Sequence, residues 1–321
     1  MKKIIILLLL LYSGTNAIAQ SRKTNKHHHA EQRENISQST GEEIQLWPEN
    51  IPDGPGPQGS EIVTDKGSVT NVSKPRLIVH RPNNPNGMAV LVISGGGYAH
   101  IELGKESTPA ADWLQSEGVT TFELVYRLPQ EGWQTTNVPF EDAQRAMRII
   151  RKHAHKYGID PNNIGVLGFS AGGHLAGMIA VDPDKTYYSP VDEIDNLSAR
   201  PAFAGLIYPV ITMMPPFNKT HAKKSILGTD PSEKKESSYS VELLVNSSTP
   251  ATFLAQAEDD PISPVENSKL MYKALRKANV PAEIHLFKEG GHGWGMGKPG
   301  TAVAEWPELF KSWAKTNGFW K

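Results

Sequence analysis

The chain has no cysteine. That excludes disulfides, a thiolate nucleophile and thiolate metal ligands. It has no apolar run long enough to span a bilayer, which takes about 20 residues; the run Ile4–Leu11 is far shorter. Neither sign of charge is in excess. Lys and Arg number 33 against 34 Asp and Glu, for a formal net charge of −1. Nothing in that balance points to a nucleic-acid partner.

What is present begins with an address. Lys2 and Lys3 precede Ile4–Leu11, and Ala17-Ile18-Ala19 follows as a small-residue cleavage site. Residues 1–19 therefore read as a secretory signal peptide, cleaved before Gln20, with export to the periplasm or beyond the cell. No cysteine follows the site, so no lipid anchor is expected. Residues 20–43 are polar and read as a disordered linker. They hold His27-His28-His29, which could ligate a metal. A solvated tail is the simpler reading, because no acid or cysteine is fixed nearby to complete a shell. An exported chain without disulfides depends on the size of its core. With 38% hydrophobic residues in 321, it can build one.

Residues 44–321 are expected to form a single domain. Arg76–His80, Met88–Ile93, Thr120–Tyr126, the run opening at Ile164, Phe203–Ile211, Thr252–Ala257 and Ala282–Phe287 are short and apolar, as buried strands are. Helix patterns lie between them. One spans about Ala110–Glu117 and stops at Gly118. Another starts at Pro139, with Phe140, Ala143, Met147, Ile150, Ala154 and Tyr157 on one face and Gly158 as the stop. A third opens at Ser263-Pro264-Val265-Glu266, a capping box with proline first, and runs to about Ala278. Val303–Ala314 closes the chain. Such alternation predicts an α/β fold: a mostly parallel central sheet with helices on both faces. Thr212–Thr249 shows no strand pattern. It is expected to be an insertion of short helices, either over a site or a plain surface excursion.

The run from Ile164 enters Gly168-Phe169-Ser170-Ala171-Gly172-Gly173-His174-Leu175-Ala176. A strand that turns into a helix through Gly-x-Ser-x-Gly is a nucleophile elbow. The serine must adopt a strained conformation to raise its hydroxyl above the sheet, and the glycines remove side chains that would clash. A serine hydroxyl needs a base, and the base an orienting acid. In open parallel sheets both lie beyond the carboxyl ends of the strands. Glu258, Asp259 and Asp260 all follow the Thr252–Ala257 strand, so residue type alone leaves the acid open. Asp260 is favoured over Asp259 because it lies nearest the helix start, in an Asp-Pro-x-x-Pro turn. Of eleven histidines, His292 alone follows the last strand in a glycine-rich loop. His174 is too close to Ser170 along the helix. The order Ser170, Asp260, His292 is that of an α/β-hydrolase triad. The developing oxyanion needs preorganised N–H donors. Ala171, Gly96 and Gly97 are the candidates, the glycines following the Met88–Ile93 strand.

On these residues the chain resembles bacterial α/β-hydrolases of the carbohydrate-esterase kind, the acetylxylan and feruloyl esterase-like group. That group is related to the lipases and esterases that carry His-Gly-Gly-Gly. The matching segments are Ser94-Gly95-Gly96-Gly97-Tyr98, Tyr126-Arg127-Leu128-Pro129, Glu141–Ala146, Gly168–Ala176, Asp259-Asp260-Pro261 and Gly290-Gly291-His292-Gly293. Ser94 departs from the wider pattern, where a histidine precedes the glycines. The resemblance covers about Leu46–Gly318. It implies Ser170 as nucleophile, Asp260 as acid, His292 as base, and the glycine loop as oxyanion hole. It also implies an exported enzyme that removes acetyl or related acyl groups from plant polysaccharide. Tyr98, Trp133 and Trp294 follow strand ends and could stack on sugar faces or simply pack; Tyr98 and Trp294 are the substrate-binding candidates. His100 and Glu102 are candidates for the pocket wall. Acyl transfer to water calls for no metal or organic cofactor. A serine exopeptidase, a feruloyl esterase and a non-catalytic binder on the same scaffold are the competing readings.

Overall fold

Eight segments pair into one sheet in the computed structural model, which describes residues 41–47, 49 and 51–321. They are β1 (Glu42–Gln45), β2 (Arg76–His80), β3 (Ala89–Ile93), β4 (Thr120–Val125), β5 (Ile164–Phe169), β6 (Phe203–Ile207), β7 (Ala251–Ala257) and β8 (Ala282–Phe287). Their spatial order is β1-β2-β4-β3-β5-β6-β7-β8. The pairs β1–β2 and β2–β4 are antiparallel. All others are parallel. The expected signal peptide and His27–His29 lie outside the described residues. The domain reaches two residues further back than expected, because Glu42 and Glu43 pair with Val79 and Ile78.

Side chains alternate across a strand, so a central strand feeds two cores. Leu91 and Ile93 of β3 enter one apolar cluster, together with Val166 of β5. Val90 and Val92 enter the other, with Leu167 and Phe169. Helices α2 (Val138–Lys152), α3 (Ser170–Val181) and α7 (Glu266–Lys277) cover the first. Helices α1 (Thr108–Ser116) and α8 (Trp306–Thr316) cover the second. Both faces are thus closed, as near-continuous apolar strands require.

Three expectations need correction. The strand from Phe203 ends at Ile207 rather than Ile211, because Tyr208 takes a φ of 36° and Pro209 has no N–H to continue a ladder. The capping box at Ser263 does not form. The Ser263 hydroxyl donates to the Pro209 carbonyl at 2.6 Å, and the Ile262 and Ser263 N–H groups turn to Asp260. The closing helix proper begins at Trp306, after one 3-10 turn over Ala302–Glu305.

The insertion carries three short helices, α4 (His221–Leu227), α5 (Glu233–Ser238) and α6 (Val241–Leu244). It is tied down by Ile211 and Thr212 N–H groups on Asn267 Oδ1 and by Met213 N–H on Ser240 Oγ.

The Tyr126–Pro129 and Glu141–Ala146 segments are structural. Arg127 is fully buried. It donates through Nε to Asp142 and through Nη2 to Glu141, and its guanidinium lies over Trp133 at 4.9 Å. Trp47 Nε1 donates to the same Asp142 at 2.7 Å. Arg127→Met would strand two buried carboxylates, at a cost of about 3–5 kcal/mol. A thermal melt is expected to show Tm lowered by roughly 10 °C.

Candidate active site

The site is assembled where β3, β5, β7 and β8 end. Beyond β5 the chain reverses at Ser170, whose φ is 51°, a strained value for a residue with a side chain. The turn is closed from within. A Cβ on Gly168 would lie 2.2 Å from Gly172 O, and one on Gly172 would lie 2.3 Å from Ile93 O. These contacts are backbone on backbone and cannot swing away. Gly172→Ala is therefore expected to cost about 1–3 kcal/mol by overpacking and to lower both Tm and turnover.

The hydroxyl raised by this turn has a partner. Ser170 Oγ lies 2.8 Å from His292 Nε2, and His292 Nδ1 lies 2.7 Å from Asp260 Oδ2. The carboxylate is fully enclosed and holds three further donors: Gln256 Nε2 on Oδ2 and the N–H groups of Ile262 and Ser263 on Oδ1. A carboxylate so surrounded by donors accepts from Nδ1–H, which leaves Nε2 unprotonated and facing Ser170. Of the other two carboxylates in the run, Glu258 is exposed. Asp259 Oδ1 accepts from Gly291 N–H at 2.7 Å and so braces the loop that carries His292.

The glycine loop follows β3. Gly95 N–H is already engaged with Glu106 Oε2 at 2.6 Å. Gly96 and Gly97, with φ of 111° and 64°, border the cavity beside Ser170. Among the described residues their N–H groups donate to no protein acceptor. Ala171 lies in the first turn of α3, where an N–H has no partner within the helix and the helix dipole favours negative charge. Ser94, at the head of the glycine loop, is fully buried. Its hydroxyl donates to Ser107 Oγ at 2.6 Å, and Ser107 donates onward to the buried Glu123. From the insertion, Ser225 Oγ donates to Gly97 O at 2.8 Å.

The cavity over Ser170 measures about 450 Å³. Its walls include His100 and Glu102, whose side chains pair at 2.7 Å, and His221 of the insertion. Val210, Ala222 and Ile262 form an apolar part. Neither aromatic candidate borders it. Tyr98 is fully buried; its hydroxyl donates to His174 Nδ1 at 2.8 Å. His174 donates from Nε2 to Tyr239 O, and burial pushes its pKa down to about 4. Both groups are thus committed to the core. Trp294 packs edge-on to Tyr208 at 4.5 Å and borders a separate depression with Asp259 and Lys288. Trp133 lies against Arg127.

Of the two readings of the insertion, the one over a site is what His221 and Ala222 occupy. Glu106 had no sequence signal. It is one of two acids between the glycine loop and a helix, and its 3% exposure sets it apart from Glu102. Among the described residues, no group of three or more His, Asp or Glu side chains is placed to hold a metal ion, and no helix is long and apolar enough to cross a membrane.

Residues 77–275 match the BD-FAE family. The chain is 32% identical over 234 residues to an acetylxylan esterase of Xylanibacter ruminicola, covering 72% of this chain and 46% of that protein. It is 37% identical over 215 residues to endo-1,4-beta-xylanase B of Butyrivibrio fibrisolvens, covering 64% of this chain and 32% of that protein. The chain thus matches less than half the length of either. Among solved structures, the acetyl ester-xyloside bifunctional hydrolase of Caldicellulosiruptor lactoaceticus superposes with a TM-score of 0.74 at 35% identity, over 88% of this chain and 98% of that one. A carboxylesterase of Lactobacillus plantarum shares the fold, with a TM-score of 0.66 at 22% identity over 82% and 99%.

Proposed function

The chain belongs to the BD-FAE family of α/β-hydrolases, and on that premise we propose that it is a serine esterase. Its substrates are O-acyl esters, above all acetyl esters, on plant polysaccharide or oligosaccharide. The observation that carries the reading is the unbroken chain Ser170 Oγ, His292, Asp260, with the imidazole held in the tautomer that can accept a proton.

As Ser170 Oγ attacks the acyl carbon, His292 Nε2 takes its proton and Asp260 stabilises the imidazolium. The carbonyl oxygen gains a negative charge and is met by the N–H groups of Gly96, Gly97 and Ala171. The proton then passes to the leaving alcohol oxygen, leaving an acyl-enzyme. Water, deprotonated by the same imidazole, releases the acid and restores Ser170. The small apolar wall suits a short acyl group, and the polar His100, Glu102 and His221 suit a hydroxylated alcohol. The likeness to the acetylxylan esterase and to the acetyl ester-xyloside hydrolase supports the acetyl reading.

The test is a substrate panel. Acetylated xylan and p-nitrophenyl acetate are expected to release acetate with higher kcat/KM than feruloylated oligosaccharides or dipeptide arylamides are cleaved. Preference for a feruloyl ester would overturn the acetyl assignment; preference for an arylamide would overturn the esterase.

We also assign the reaction to the cell exterior or periplasm, on the pattern Lys2-Lys3, Ile4–Leu11 and Ala17-Ile18-Ala19. Amino-terminal sequencing of the exported protein should begin at Gln20; protein retained in the cytoplasm with Met1 intact would refute this.

A further inference from the structure

Glu106 has no part in the steps above, yet it borders the cavity over Ser170. It sits on the π-helical turn Leu103–Ser107, a rare element that often accompanies functional sites. Its two oxygens reach in two directions. Oε2 accepts from Gly95 N–H at 2.6 Å. Oε1 accepts from Tyr208 O–H at 3.0 Å. The Tyr208 oxygen then accepts from Gly295 N–H at 3.0 Å. Gly95 immediately precedes the oxyanion glycines, and Gly295 closely follows His292. The Tyr208 ring also stands edge-on to the His292 ring, 5.1 Å between centroids.

We propose that Glu106, as a carboxylate, is a positioning residue for ester hydrolysis: it locks the oxyanion loop and the His292 loop to one another above Ser170. The role rests on the esterase reading and adds a residue to it.

The proton count requires the ionised form. A tyrosine hydroxyl has one proton to give and can accept from others. With Glu106 ionised, Tyr208 gives its proton to Oε1 and receives Gly295 N–H, so every group is satisfied. With Glu106 protonated on Oε1, that proton points at the Tyr208 oxygen, and the Tyr208 proton loses its acceptor. An unpaired buried donor is costly, so the bridge loosens. The titratable groups around Glu106 are Tyr208 and Tyr126, both buried, His292 across the cavity, Glu102 immediately before the π-helical turn and the exposed Lys105 beside it. Burial is the largest influence and pushes the Glu106 carboxyl up to about 7; the Gly95 and Tyr208 bonds and His292 pull the other way. Acidification through neutral pH therefore removes the lock.

Glu106→Gln preserves shape and the bond from Gly95, but its amide donates toward Tyr208 as a protonated acid would. It is the permanent mimic of the unlocked state. Tyr208→Phe cuts the bridge at its other end.

The experiment measures kcat and KM for p-nitrophenyl acetate against pH, with hydrogen exchange by mass spectrometry on the same proteins. Glu106→Gln is expected to lower kcat by about 10- to 100-fold at pH 8, with KM within about threefold. The acid limb of log kcat/KM, which steepens toward a slope of two in the wild type, falls to a slope of one. Exchange is expected to speed up together at residues 95–97 and 292–295. Tyr208→Phe should reproduce these losses, and the double variant should lose no more than either single one. A wild-type kcat in Glu106→Gln, a retained two-proton limb, or faster exchange confined to residues 103–107 would each overturn the proposal. A wild type that cleaves no ester would refute the esterase reading instead, and the exchange data would still decide whether Glu106 locks the loops.

Discussion

Ser170→Ala is expected to lower kcat/KM for p-nitrophenyl acetate and for acetylated xylan by about 10⁵- to 10⁶-fold, a loss of roughly 7–8 kcal/mol of transition-state stabilisation. The size follows from what remains. Without Oγ no acyl-enzyme can form, and only the N–H groups of Gly96, Gly97 and Ala171 still favour attack by water. Stability should barely change. Alanine fits the same strained φ of 51° no worse than serine. The hydroxyl gives up one hydrogen bond to His292, worth about 1 kcal/mol. Tm is therefore expected within a few degrees of the wild type, and labelling by a fluorophosphonate probe should vanish. This combination separates Ser170→Ala from Gly172→Ala, where Tm and activity fall together. Acetate release at the wild-type rate would sink the mechanism.

Asp260→Asn is expected to lower kcat by about 10⁴-fold while leaving the backbone in place. The cause is a shortage of lone pairs. Asp260 receives His292 Nδ1–H and Gln256 Nε2–H on Oδ2, and the Ile262 and Ser263 N–H groups on Oδ1. An asparagine has one carbonyl oxygen. If that oxygen keeps the two backbone donors, the amide hydrogens face His292 and Gln256. The imidazole then adopts the other tautomer, with its proton on Nε2 against Ser170 and no lone pair to accept the serine's proton. The opposed Gln256 amide adds about 1–3 kcal/mol of destabilisation, visible as a lower Tm. Asp259→Asn is the control. Its oxygen can still accept from Gly291 N–H, and activity is expected within about threefold of the wild type. Equal losses in the two variants would show that the assignment of the acid is wrong.

Much of this protein is legible in one dimension because the relevant signals are local. Buried parallel strands are apolar along their whole length, so the segments around Met88, Ile164 and Thr252 identify themselves. The elbow is equally local: a serine forced to positive φ needs glycines two residues either side, where any Cβ would strike backbone. The order Ser170, Asp260, His292 follows from the strands each residue succeeds.

What failed in one dimension depends on partners far along the chain. Ser263 looks like a helix cap, but Pro209 is near enough in space to take its hydroxyl, and Asp260 takes the N–H groups around it. Tyr98 looks like a sugar platform, yet it is fully buried and its hydroxyl is spent on His174; Trp294 lies outside the cavity over Ser170 and borders the depression beside Asp259 and Lys288. Asp259 and Asp260 are indistinguishable by type; only the direction of each carboxylate separates a loop brace from the partner of His292. Glu106 shows the limit most clearly. Its neighbours Gly95, Tyr208 and Gly295 are spread over three strand ends, and no local spacing encodes their meeting. The sequence by itself determined the strands, the glycine-flanked turn at Ser170 and the order in which Ser170, Asp260 and His292 follow their strands, because backbone sterics and burial act between near neighbours. Only the tertiary structure decided which polar groups are free for substrate and which are spent on one another, because each buried donor must find an acceptor wherever the fold supplies one.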